Sequence, residues 1–190
     1  MKLNTFPQER GTSMIEVLVT IVIIVIGLLG LVGLQARLQV SEMESYQRAQ
    51  ALILVKDMSN RIATNRNHVG GYETTEIGAN TSNCAALTAT NPRVQADLRE
   101  WCSALQGAGE VRDGERVGAM VGGRGCVEVL GRVVRVTVAW QGLAPVPSPV
   151  SDTASTCGNG AYDDASPGAA CTGNLCRRAV TTTVLIPALT

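Results

Sequence analysis

Aromatic side chains are scarce, at 3% of 190 residues, and the only phenylalanine, Phe6, lies close to the N-terminus. A surplus of charge is lacking too. The 16 Lys and Arg balance the 16 Asp and Glu, so no basic excess points to nucleic acid or to an acidic membrane surface. His68 is the only histidine, and no Ser or Cys stands beside it to form a nucleophile pair. No paired C-x2-C motif suggests zinc, and the adjacent Asp163 and Asp164 lack the spaced oxygen ligands of a calcium loop. The glycine-rich stretch from Gly118 to Gly125 lacks the Gly-Lys-Ser/Thr of a phosphate loop. These gaps predict a non-enzyme with no cofactor and no metal.

What is present is one long apolar run. The apolar share is 45%, and it owes more to this run than to a large core. From Val17 to Leu34 the chain reads VLVTIVIIVIGLLGLVGL, with no charge and no proline. A helix of about 20 such residues crosses the hydrocarbon of a bilayer. A soluble amphipathic helix would show a polar stripe at 3.6-residue spacing, and none is visible. Lys2 and Arg10 precede the run, which orients the N-terminus to the cytoplasm and the remainder across the membrane.

All six cysteines, Cys84, Cys102, Cys126, Cys157, Cys171 and Cys176, lie downstream of the run. An even number in a glycine-rich region suits disulfides formed in an oxidising compartment, so the head is expected outside the cytoplasm. Cys84 and Cys102 bracket one insertion and form the expected local pair. The other four are expected to tie the loop from Gln141 to Asn174 to the strand near Cys126. Six cysteines allow 15 pairings, so their connectivity is open.

The leader does not resemble a secretory signal, whose apolar region is about 7–15 residues long and ends at a small-residue cleavage site. Here a polar leader ends in Gln8-Glu9-Arg10-Gly11, then Thr12-Ser13-Met14-Ile15-Glu16 opens the run. A lone carboxylate entering hydrocarbon calls for a partner, because burying it unpaired costs several kcal/mol. Arg-Gly, then Thr-Ser-Met-Ile-Glu and an unbroken apolar run resemble the class III signal of type IV pilins and the related pseudopilins. The resemblance implies cleavage by the prepilin peptidase between Gly11 and Thr12, and N-methylation of Thr12. Thr12 stands where the family usually has Phe. The stretch from Gly27 to Gln35 makes the chain look most like the minor pilins of the type IV pilus modification group, a likeness that covers about the first 35 residues.

Elementary electrostatics gives Glu16 a role in that setting. Cleavage creates a cationic amine at the edge of the apolar phase, and Glu16 of one subunit neutralises the Thr12 amine of its neighbour, which registers the subunits. Gly27, Gly30 and Gly33 each cost a helix about 1 kcal/mol relative to Ala, yet they permit close helix packing in membranes. Gly33 sits where major pilins commonly carry proline, so the glycines are expected to soften the helix in its stead.

Beyond Gln35 the pattern becomes amphipathic, with Ala51, Val55, Met58 and Ile62 on one stripe. One near-continuous helix is predicted from about Ser13 to Asn65, ended by His68-Val69-Gly70-Gly71. Residues 66–115 read as a loop carrying a short helix near Val94 to Leu105. A hairpin follows, Cys126–Leu130 and Val133–Trp140, with Val134, Val136, Val138 and Trp140 on the face toward the helix. Ala179 to Ile186 reads as a third strand, and Arg177-Arg178 as a charged strand edge.

The expected fold class is α+β, a pilin fold: a long N-terminal helix, half membrane and half amphipathic, on a small antiparallel sheet. Residues 1–11 are read as leader, 12–35 as the membrane and filament-core half, and 36–190 as the periplasmic head. The expected partners are other pilins and minor pilins, the prepilin peptidase, the inner membrane and a tip adhesin, with no nucleic acid. The resemblance implies a single-pass inner-membrane protein that primes a type IV pilus or joins its tip. A type II secretion pseudopilin is the alternative, and a DNA-uptake pilin is disfavoured by the lack of net charge.

Overall fold

The computed structural model describes residues 13–79, 83–108, 111–113, 115–116, 120–146, 155–166 and 168–187. Gly11 and Thr12 lie outside them, as does part of the Gly118–Gly125 stretch.

Helix α1, Met14–Thr64, is unbroken for 51 residues. It starts where the Ser13 carbonyl accepts the N–H groups of Glu16 and Val17, at 2.9 and 3.3 Å. Glu16 in the first turn and Arg61 in the last turn each suit the helix dipole. The helix stops at Asn65, whose N–H bonds back to the Arg61 and Ile62 carbonyls. A 3-10 stretch, Arg66–Tyr72, follows and is kinked at His68.

The chain divides after Glu42 into two compact units. In the first, α1 buries nothing. In the second, α1 turns Gln47, Ala51, Leu54, Val55, Met58, Ser59 and Ile62 into the core, at the three- and four-residue steps of an amphipathic helix.

Strand β1, Thr74–Ile77, precedes helix α2, Pro92–Leu105. Asn91 caps α2: its side chain accepts from the N–H groups of Arg93 and Val94, and Pro92 occupies the first turn, where its missing N–H is no loss. Val94, Leu98, Trp101, Cys102 and Leu105 form the buried face. Two short strands, β2 at Val111–Arg112 and β3 at Glu115–Arg116, pair only with each other.

The main sheet adds β4, Arg124–Leu130, β5, Val133–Gln141, and β6, Arg177–Leu185. Its order is β1-β4-β5-β6, antiparallel throughout. Gly131, at φ +65°, makes the β4–β5 turn. The layout is therefore α+β, with the Met43–Thr64 part of α1 packed with a four-stranded antiparallel sheet around one core. Val134, Val136 and Val138 are fully buried, as are Met58 and Ile62.

Two features differ from the sequence reading. Thr74–Ile77 is a strand within a segment read as loop; Thr-Thr-Glu-Ile carries a single apolar residue, so alternation had nothing to register. The opposite face of the sheet is also partly covered. Cys157 and Tyr162, from the loop between Gln141 and Asn174, pack with Cys126 and Ala139 in a second small cluster, and Thr137 beneath is 1% exposed.

Candidate assembly helix and the head that carries it

The helix from Val17 to Leu34 is apolar on every side, and every side is exposed. Val17, Leu18 and Val19 are consecutive, so they point in different directions around the helix, yet they are 48%, 64% and 51% exposed. This is one helix long and apolar enough to cross a membrane. Glu16 is the only carboxylate between Ser13 and Glu42. A Cβ added at Gly27, Gly30 or Gly33 would meet nothing within 4 Å. Their lack of a side chain therefore serves no contact among the described residues. Thr20, the one hydroxyl in the run, turns its Oγ back to the Val17 carbonyl at 2.8 Å, which satisfies it without water.

In the head, α2 is fastened to the lower half of α1 by polar contacts that hydrophobic periodicity cannot reveal. Arg61 reaches three carboxylates: Asp57 at 2.8 Å, Asp97 at 3.0 Å and Glu100 at 2.6 Å. Tyr72 donates its hydroxyl to the other oxygen of Asp97 at 2.5 Å and accepts from Asn65 at 3.0 Å. Burial, and then the hydrogen bond to Asp97, push the Tyr72 phenol up to about 12. Asp97 is 5% exposed, so these donors compensate a carboxylate held away from water.

The structure pairs Cys84 with Cys102, Cys126 with Cys157 and Cys171 with Cys176, at Cα separations of 5.5, 5.8 and 5.2 Å. The first clips the segment before α2 to that helix. The second fastens the long loop to β4, as expected, but the third does not: Cys171 and Cys176 close a short ring at the loop's end, just before β6, instead of reaching the strand near Cys126. Arg177 begins the edge strand β6, as expected, but its side chain is fully buried and not a solvated charge. Its guanidinium donates to the Cys157 carbonyl at 2.9 Å and the Ser155 carbonyl at 2.6 Å, holding the loop over the sheet. Arg178 pairs with Glu44 at 3.1 Å and donates to the Ala144 carbonyl at 2.7 Å, tying the start of β6 to α1.

Asp163 and Asp164 both serve the loop's own backbone. Asp163 accepts the Asn174 N–H at 2.8 Å, and Asp164 accepts the Ser166 N–H at 2.9 Å. The latter bond holds the Asp164 carboxyl below the usual carboxylate range. His68 is exposed and lies beside Asn65, Nδ1 to Oδ1 at 3.1 Å. Among the described residues no three of His, Cys, Asp and Glu gather as a metal site.

The chain matches no protein-family model, no curated protein and no solved structure. Any functional reading rests on the helix and the head themselves.

Proposed function

We propose that this chain is a minor pilin of a type IV pilus, which primes assembly or forms part of the tip complex. The observation that carries the reading is the N-terminal half of α1: apolar and exposed all round from Val17 to Leu34, with one carboxylate, Glu16, at its head. A span that only anchors a protein has no use for that carboxylate. A helix that leaves the bilayer to pack among like helices does, because Glu16 neutralises the N-terminal amine of the neighbouring subunit. Gly27, Gly30 and Gly33 then let neighbouring helices come close.

In this reading the prepilin peptidase cuts between Gly11 and Thr12, and Thr12 receives the methyl group. The subunit waits in the inner membrane with its head in the periplasm, then enters the pilus beside other pilins. The three disulfides suit that oxidising compartment. The head is a passive platform, not an enzyme, and offers its surface to a tip adhesin or neighbouring pilins.

The test is Glu16→Ala. The variant should be processed and inserted normally but be poor at initiating filaments or entering them. Normal incorporation into sheared pili, at normal filament number, contradicts the role.

A further inference from the structure

The two edges of the main sheet are unequal. Edge strand β1 has four residues and an irregular register with β4 between Thr74 and Ile77. Short length and irregularity blunt an edge against pairing. Edge strand β6 has nine residues, in unbroken register with β5 from Val133↔Leu185 to Gln141↔Arg177. From Ala179 to Leu185 it carries no charge, no proline and no glycine. Among the described residues, its main chain beyond Arg178 is hydrogen-bonded to β5 alone.

The register shows which groups face outward. The Ile186 N–H donates to the Arg132 carbonyl on the β5 side. In an antiparallel ladder the direction alternates along the strand, so Ala179, Thr181, Thr183 and Leu185 turn their N–H and C=O groups away from β5. The close contact of the Thr137 and Thr181 hydroxyls, 3.0 Å, fits a non-hydrogen-bonded pair at that level. Leu185 is 69% exposed at the far end of this open row.

The strand also complements itself. Val180-Thr181-Thr182-Thr183-Val184 reads the same in both directions about Thr182. Two copies paired antiparallel about that residue place Val180 opposite Val184, Thr181 opposite Thr183, and Ala179 opposite Leu185. The outward groups of Thr181 and Thr183 then form a hydrogen-bonded pair, while the two Thr182 residues form a non-hydrogen-bonded one. The valines continue the rows of Val134 and Val138 on the core side, where Thr182 continues that of Val136, and Thr181 and Thr183 pair on the other face. No charged residue between Ala179 and Leu185 opposes another, and Arg178 is already bound to Glu44.

We infer that β6 is a self-pairing edge through which the heads of two copies of this chain join into one continuous antiparallel sheet. The two-fold axis stands normal to the sheet, so the two heads run in opposite directions along their strands. The contact therefore links heads of separate assemblies rather than neighbours in one polar filament, and it goes beyond the subunit role proposed above.

Thr182→Cys tests the register in the purified full chain in detergent micelles. The native cysteines are all in disulfides, so the new thiol is the only one free. A non-hydrogen-bonded pair sets the two Cα atoms about 4.5 Å apart, within disulfide range. Under a mild oxidant this variant should form a covalent dimer, while Leu143→Cys, exposed beyond the end of β5 and outside the self-pairing stretch Ala179–Leu185, should not. Adding Thr183→Pro should lower the dimer yield about tenfold or more, because it removes an outward N–H from each copy and leaves the bonds to β5 intact. Unchanged circular dichroism would show that the double variant remains folded. Cross-linking no greater than that of Leu143→Cys overturns the inference, as does a folded Thr183→Pro variant that dimerises as before. Association through α1 alone gives the second outcome, which separates this failure from any failure of the helix reading.

Discussion

Trp101 donates its indole N–H to the main-chain carbonyl of Leu54, 3.0 Å away and 47 residues distant in sequence. Both groups are buried, so the bond fixes α2 against the middle of the packed half of α1. The ring also lies against Gly125 of β4, where any Cβ would collide with it. One side chain thus spaces helix, helix and sheet.

Trp101→Ala should cost about 3–5 kcal/mol, the usual range for emptying a large aromatic site. Trp101→Phe retains most of the apolar contact and should cost less. Gly125→Ala leaves Trp101 in place but forces it aside, which should cost about 1–3 kcal/mol. Thermal melting of the three variants checks the order. A Gly125→Ala protein as stable as the parent would show that the sheet does not press on this ring.

Arg61, Asp97 and Tyr72 form the polar counterpart. Tyr72→Phe strips the near-buried Asp97 of a hydroxyl donor and should destabilise by about 1–3 kcal/mol. The folded phenol, raised to about 12, lies above the unfolded value of about 10. Its contribution is therefore complete below pH of about 10 and lost as pH rises through about 12. Ultraviolet titration of the parent should contain a tyrosinate step near 12 that Tyr72→Phe lacks. The same steps in both proteins would remove Tyr72 from the network.

The disulfides should differ in weight. Cys126–Cys157 spans 31 residues and Cys171–Cys176 only 5, and the chain-entropy account gives the longer loop the larger stabilisation. Replacing both Cys126 and Cys157 by Ala should cost about 2–4 kcal/mol and loosen the segment carrying Tyr162. Replacing both Cys171 and Cys176 should cost less. Calorimetry with limited proteolysis reads both effects, and the reverse order would contradict this account of the loop.

How far the sequence alone carries depends on which force shaped each element. Ala51, Val55, Met58 and Ile62 were legible because burial repeats with the helix; all are 3% exposed or less. The alternating valines of β5 were legible for the same reason. Arg177 was not. Two adjacent arginines at a strand start look like a solvated edge, and only the folded path of Ser155–Cys157 supplies the carbonyls that let one of them be buried. The Arg61 cluster was equally hidden, since Asp97 and Glu100 come from α2, with no local pattern linking them to α1. At the N-terminus the spacing of Gly11, Thr12 and Glu16 was plain in the sequence, and the fold adds the open, apolar helix behind it.

The central claim is that this helix begins at a new N-terminus made for assembly. Intact-mass measurement of the protein extracted from membranes tests it most directly. The account predicts loss of Met1 to Gly11, with Thr12 as the first residue and the mass of one added methyl group on its amine. A chain that still begins at Met1, or one whose N-terminus lies beyond Leu34, would contradict it.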